Sequence, residues 1–252
     1  MVTTVQVWAQ QNEQTHLHGT GLIYAHQSTT QSEQIVPMLI TVGHLLEGAK
    51  RVVVQFMRAE DGEPSLQERI RVEIPLDQFT TIGEGTTALV VAPIAPVLQS
   101  LESDGNKPYY RSVTGGACLS EDAWNNQPAV LSVVTFGFPT FPGAALTFPI
   151  SRSGVTATPP WTDYDGDPCF LADVGVFPGI SGSPVFALGP QLNTGPGIVY
   201  RPAFQFLGIV VGARCVGGPG FKNDPGLAIV LKAEVVRQAA METVKRIAPE
   251  LL

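Results

Sequence analysis

The sequence predicts an all-β chain of two antiparallel β-barrel-like halves, about six strands in the first and six or seven in the second, closed by a C-terminal helix. Three observations predict it. Glycine and proline supply 26 and 21 of the 252 residues, roughly a fifth against about an eighth in average usage, which disfavours a helical bundle and favours short strands joined by tight turns. Runs that alternate apolar and polar side chains recur along most of the chain. A clear helical period occurs once, over 232–247, where Val235, Val236, Ala239, Ala240, Val244 and Ile247 recur at three- and four-residue steps before Pro249.

Taken in order, residues 2–9 alternate as a half-buried strand, with Val5 and Val7 on one face. Residues 19–24 and 37–42 are the next two strands, joined by a polar hairpin loop over 27–34. Residues 51–57 and 68–74 alternate charged with apolar positions, the mark of antiparallel strands with one wet face. Residues 87–92 form a more buried strand, broken by Pro93 and Pro96. Residues 98–128 lack a period and hold the loop compositions Ser103-Asp-Gly-Asn-Lys-Pro108 and Asn125-Asn-Gln-Pro128. This divides the chain into a first barrel half over 1–97, a linker over 98–128 and a second half over 129–252. Strands resume at 129–138, 145–150, 154–157, 169–172, 184–187, 204–212 and 226–231.

Composition narrows the function. Fifteen basic against 22 acidic residues leave a formal charge of −7, and no basic run is present, so neither nucleic acid nor an anionic membrane is an expected partner. No apolar stretch approaches the ~20 residues that span a bilayer. Cys118, Cys169 and Cys215 make a poor disulfide framework and lack zinc-ligand spacing, so three reduced thiols are expected. The chain opens on a strand without a signal-peptide pattern, which points to the cytoplasm unless a leader has been removed.

The strongest local pattern is Pro178-Gly-Ile-Ser-Gly-Ser-Pro184. Glycines around Ser181 permit a tight turn and leave room for a substrate carbonyl. Successive N–H groups in such a turn can converge on an oxyanion. A serine nucleophile needs a base. Of His16, His18, His26 and His44, only His44 follows an apolar strand, Leu39-Ile-Thr-Val-Gly-His44. The other three sit in polar sequence and are expected at the surface.

Thr41-Val-Gly-His44 and Gly179-Ile-Ser-Gly-Ser-Pro184 resemble the two signatures of trypsin/chymotrypsin-like serine proteases, one in each half. Gly19-Thr-Gly-Leu-Ile23 resembles the strand before the family histidine. Leu207-Gly-Ile-Val-Val-Gly212 resembles the strand after the serine, and Pro225-Gly-Leu-Ala-Ile229 the strand beside the specificity pocket. Asp173 to Pro184 is closest to the bacterial high-temperature-requirement and glutamyl-endopeptidase types. The resemblance sharpens the expected fold to two antiparallel six-stranded β-barrels of chymotrypsin-like type, and implies a serine endopeptidase acting on a protein or peptide substrate, with no metal or organic cofactor. It implies His44 as base, Ser181 as nucleophile, and the N–H groups of Gly179 and Ser181 as the oxyanion hole. Val211, Gly212 and Ala213 would bind substrate backbone, with Gly175 at the pocket floor.

Two departures matter. The family's buried aspartate aligns with Thr86 in Thr86-Thr-Ala-Leu-Val90. A threonine hydroxyl orients an imidazole but does not offset an imidazolium, and loss of that carboxylate costs roughly 10⁴-fold in turnover in well-studied triads. The expectation is a Ser-His pair with Thr86 in third place, unless Glu84 or Asp77 reaches in. Ile180 stands where digestive proteases carry an aspartate, so activation by cleavage of a zymogen is not expected. The rival readings are a pseudoprotease that binds peptides or acts as a scaffold, favoured by Thr86, and a protease silent until a regulatory partner protein or domain orders its loops.

A bare floor at Gly175 implies a small or medium apolar residue on the acyl side of the scissile bond. Asp173 lies two residues earlier and Arg214 at the rim. Trp161-Thr-Asp-Tyr-Asp-Gly-Asp167 faintly resembles a calcium loop, but the glutamate expected at its twelfth position is Val174, and a solvated acidic loop is the stronger reading.

Overall fold

The computed structural model describes residues 3–28, 34–118, 124, 127–140, 148–193, 199–214 and 226–251. Residues 145–147 of one expected strand, Cys215 and Pro225 lie outside them.

The first half is a nine-stranded sheet. Its hydrogen-bonded path runs β5 (Glu63–Ile74), β4 (Arg51–Glu60), β1 (Thr4–Gln10), β2 (His16–Gln27), β3 (Ile35–Val42), β7 (Leu89–Pro93), β6 (Thr80–Ile82). Two further short strands leave that path: β8 (Pro108–Tyr109) pairs with β4, and β9 (Val113–Thr114) pairs in parallel with β2. Among the described residues this half therefore holds more strands than the six or so expected, and their path does not close. The second half is a closed six-stranded barrel, in the order β10 (Ser132–Gly137), β11 (Ile150–Thr156), β12 (Cys169–Asp173), β15 (Leu227–Lys232), β14 (Val199–Arg214), β13 (Pro184–Asn193).

Alternation explains the first sheet's inner face. Val52, Val54 and Phe56 of β4 and Ile70 and Ile74 of β5 are buried, while Arg51 and Glu73 pair on the wet face at 2.5 Å. That exposed pair contributes at most ~1 kcal/mol, so burial of the apolar face carries the sheet. The break read at Pro96 is a helix start instead. In α2 (Ala95–Ser103) the proline sits in the first turn, where a missing N–H costs nothing.

Inside the barrel, Val133, Phe170, Ala172, Val185, Leu207, Val210 and Val230 form one buried cluster. A second, larger cluster spans both halves and takes in Val236, Ala239, Ala240 and Val244 of the C-terminal helix α3 (Ala233–Ile247). That helix touches β2 and β7 of the first half and β14 and β15 of the second. The expected helical period is thus a buried stripe that clamps the halves together. Cys118 and Cys169 are free. Burial pushes both thiols up to about 11, so they are protonated and unreactive near neutral pH.

Candidate active site

Ser181 sits in the tight turn that the glycines predict. Gly179 has φ +96° and Gly182 φ +87°, values that an L side chain adopts only under strain. Space excludes a side chain as well. A Cβ on Gly182 would lie 1.9 Å from the Thr20 carbonyl oxygen, and one on Gly179 would lie 2.4 Å from that of Phe138. Backbone bonds lock the turn to the barrel: Gly182 N–H donates to Val210 O at 2.7 Å, Ser183 N–H to Ile180 O at 2.9 Å, and Val210 N–H to Ser183 O at 2.9 Å.

Thr20 ties the same turn to the first half. Its N–H donates to Ser181 O at 2.9 Å. Its hydroxyl donates to Gly179 O at 3.0 Å and accepts from Phe138 N–H at 3.0 Å. Its carbonyl accepts from the Thr41 hydroxyl at 2.8 Å. Thr20 and Thr41 are both fully buried. Among the described residues, the N–H groups of Gly179 and Ser181 have no hydrogen-bond partner.

His44 lies in α1 (Gly43–Leu46), the short turn that follows β3. Gly43 N–H donates to Ala88 O at 2.7 Å, which pins α1 beside the 3-10 turn Gly85–Thr87. That turn carries Thr86 and packs against both α1 and β14. Gly19 joins the two sites: a Cβ there would meet Leu45 Cδ2 at 2.7 Å and Ser181 O at 3.2 Å. The residue after His44 and the backbone of Ser181 thus converge on one point. Partial burial holds the His44 imidazole below the usual histidine range, and the Glu47 carboxylate pushes the other way. Among the described residues the His44 ring and the Ser181 hydroxyl make no hydrogen bond. Catalytic pairs are commonly looser without substrate. Thr86 is exposed. Glu84 and Asp77 are exposed too, and neither pairs with His44.

β14 offers an open backbone edge. Its pairing with β13 ends at Ile209, while pairing with β15 continues through Arg214 across a bulge at Val211. Val211, Gly212 and Ala213 therefore have no partner strand on the β13 side among the described residues. Gly175 is buried with φ +65°. It is not a bare floor: a Cβ there would lie 2.6 Å from a terminal nitrogen of Arg152. Arg214 turns away to Asp165 at 3.9 Å, and Asp163 pairs with Lys232 at 2.6 Å. Two of the loop's three aspartates thus meet protein cations, and among the described residues no group of three or more His, Cys, Asp or Glu side chains is placed to hold a metal ion.

His18, expected at the surface, is half-buried and belongs to a polar relay that the sequence did not reveal. Arginine only donates. Arg71 Nε donates to Gln55 Oε1 at 3.0 Å, so Gln55 Nε2 donates to Gln6 Oε1 at 3.2 Å. Gln6 Nε2 then donates to His18 Nε2 at 2.5 Å. His18 must carry its proton on Nδ1 and donate to Thr140 Oγ1 at 2.9 Å. Thr140 in turn donates its N–H to Pro178 O at 2.7 Å. Burial lowers the His18 pKa, in keeping with a neutral ring.

No protein-family model and no curated protein matches the chain. Solved structures do. A serine endoprotease from Yersinia pestis superposes with TM-score 0.54 at 13% identity, covering 96% of this chain and 63% of that one. The HtrA-type protease AlgW, solved with a decapeptide, gives 0.51 at 9% identity, over 96% and 64%. HL collagenase gives 0.50 at 12% identity, over 96% and 93%. The chain therefore spans just under two thirds of the length of the first two. With the closed barrel, the second large antiparallel sheet and the terminal helix already described, these likenesses assign the chain the fold of trypsin/chymotrypsin-like serine proteases.

Proposed function

We propose that the protein is a serine endopeptidase. Ser181 Oγ attacks the scissile carbonyl while His44 takes its proton and returns it to the leaving amine. The N–H groups of Gly179 and Ser181 hold the oxyanion. Val211–Ala213 pair with substrate backbone as an added strand, and the Thr86 hydroxyl orients the imidazole. The observation that carries this reading is the Ser181 turn itself. Its two candidate oxyanion donors are unpaired among the described residues, on a buried Gly179 and a half-buried Ser181.

A fluorophosphonate probe tests it. The expected result is labelling of the wild-type protein, lost in Ser181→Ala and His44→Ala, with peptide hydrolysis falling by as much as ~10⁶-fold in each. Hydrolysis that survives Ser181→Ala unchanged overturns the assignment.

The second reading is a pseudoprotease that binds peptides on the same β14 edge. It is favoured by one observation: among the described residues no carboxylate forms a hydrogen bond or ion pair with the His44 ring, Glu47 acting on it only through its charge. Peptide binding without labelling or turnover would select it.

A further inference from the structure

We propose that His18 is a positioning residue for the oxyanion hole: a one-way relay of donors from Arg71 fixes the proton on its Nδ1, and through Thr140 that proton holds the peptide bond whose far end is the Gly179 N–H. The inference rests on the endopeptidase reading only in taking that N–H as an oxyanion donor.

The last link is backbone geometry. A trans peptide is planar, and its C=O and N–H point opposite ways. Among the described residues no peptide bond is cis. Thr140 N–H donates to Pro178 O at 2.7 Å, so the same bond turns the Gly179 N–H to the opposite side. The peptide bond after Gly179 is held separately, by the Thr20 hydroxyl on Gly179 O at 3.0 Å. Gly179 lies between the two holds with φ +96°, and a glycine swivels readily when either lets go. Thr140 is itself exposed. Among the described residues its side chain has one hydrogen-bond partner, the His18 ring. The ring also bounds the turn directly: a Cβ on Gly179 would lie 3.1 Å from its Nδ1.

The relay has a direction. Arg71, Gln55 and Gln6 lie opposite one another on β5, β4 and β1, and His18 follows on β2. Arginine only donates. Arg71 Nε occupies Gln55 Oε1, which leaves Gln55 Nε2 for Gln6 Oε1 and Gln6 Nε2 for His18 Nε2. Reversing either amide sets two donors face to face, and no reversal is open to Arg71. Nε2 of His18 is therefore an acceptor, and Nδ1 carries the proton that Thr140 Oγ1 receives at 2.9 Å. Gln6 and Gln55 are 6% and 7% exposed, so water does not repair a mismatch there. Gln6 and Trp8 from β1 and Thr140 and Gly179 from the second half face the ring, and none is ionisable. Burial lowers its pKa and keeps it neutral. A purely structural row of amides needs only that each be satisfied. This one has a fixed end that chooses the tautomer at the other.

The test reads the ring, the N–H and the chemistry separately. Proton–nitrogen correlation NMR of the whole protein at neutral pH should show His18 protonated on Nδ1 and bare on Nε2. Arg71→Met removes the donor-only end, so the ring should become a mixture of both tautomers, whereas Arg71→Lys, also donor-only, should keep one. Thr140→Val keeps its own N–H and loses the hydroxyl, and His18→Phe loses the ring donor. Each should shift the Gly179 amide resonance and lower kcat about ten- to a hundredfold with KM little changed, short of the ~10²–10³ lost with a whole oxyanion donor. His18→Asn, whose amide nitrogen can stand where Nδ1 stood, should restore most of that loss. Circular dichroism of each variant shows whether the fold is kept, and the exposed Thr140→Val carries the test if His18→Phe unfolds. A proton on Nε2, a tautomer indifferent to Arg71→Met, or a Gly179 amide and kcat indifferent to Thr140→Val overturns the proposal. Fluorophosphonate labelling of the wild-type protein reads the other question. A Gly179 amide that follows the relay in a protein that neither labels nor hydrolyses peptides overturns the peptidase reading alone. Labelling and turnover with a Gly179 that ignores the relay overturn the positioning role alone.

Discussion

Thr20 N–H donates to the carbonyl oxygen of Ser181 at 2.9 Å, a bond between the first sheet and the turn that carries the candidate nucleophile. With the Thr20 hydroxyl on Gly179 O, it makes the seam between the halves part of the site. Thr20→Val keeps the shape and removes the hydroxyl. It leaves Gly179 O and Phe138 N–H without partners, at about 1–3 kcal/mol for each group left buried. Turnover should fall while KM moves little, because the donors aimed at the oxyanion lose their support. Steady-state kinetics beside a urea melt checks both.

Gly182→Ala attacks the same seam by volume. The positive φ costs about 1–2 kcal/mol for a residue with a side chain. Overpacking against Thr20 O and the Thr41 hydroxyl, 1.9 and 2.6 Å from the new Cβ, adds roughly 1–3 kcal/mol. A clear loss in the denaturation midpoint is expected, and an unchanged midpoint would mean that the turn relaxes freely.

Thr86→Asp should raise turnover by placing a carboxylate in the 3-10 turn beside α1. The gain is bounded by the ~10⁴-fold that such a carboxylate is worth in complete triads. The paired control is Thr86→Ala. If Ala leaves kcat unchanged, the hydroxyl has no orienting role.

The pH profile follows from His44. A general base works when neutral, and burial lowers its pKa. The acid limb of kcat/KM should therefore fall below the usual histidine range. Glu47 raises that pKa against the burial effect, so Glu47→Gln should move the limb to still lower pH. A limb that moves upward refutes the assignment of His44 as the base.

Stability should respond to acid through His18. Its folded pKa lies below the ordinary value, so between the two values the unfolded chain binds more protons. Stability is then complete above the unfolded pKa and falls as pH drops through that window. Protonation would also put a second donor against Gln6 Nε2. His18→Gln, which can still accept at one end and donate at the other, should flatten the slope in a urea titration run from neutral to mildly acidic pH.

The strands were legible where one face is wet. Val52, Val54 and Phe56 announce β4 because charged residues stand between them. β6, β8 and β9 are two or three residues long and exist through pairing with longer strands, so no local period marks them. Ser181 and His44 stood out as candidates because nucleophile chemistry would constrain their neighbouring residues, and the tight turn that the glycines around Ser181 imply is present. Arg152 did not stand out. Ser151-Arg152-Ser153-Gly154 reads as a polar strand, and only closure of the barrel decides that the arginine faces inward. His18 was misread for the converse reason. Its neighbours in sequence are polar, but its partners Gln6 and Thr140 arrive from other strands and loops.

Thr20 also sets an order of events. The chain is made from its N-terminus, and the carbonyl that the Thr20 hydroxyl must meet is 159 residues downstream. Until that residue is synthesised, nothing fixes the Gly179–Ser181 turn against the first sheet. A nascent or truncated chain that ends before it has the histidine, the sheet and the seam threonine, yet no competent turn. The turn is therefore set against the first sheet only after both halves have been made.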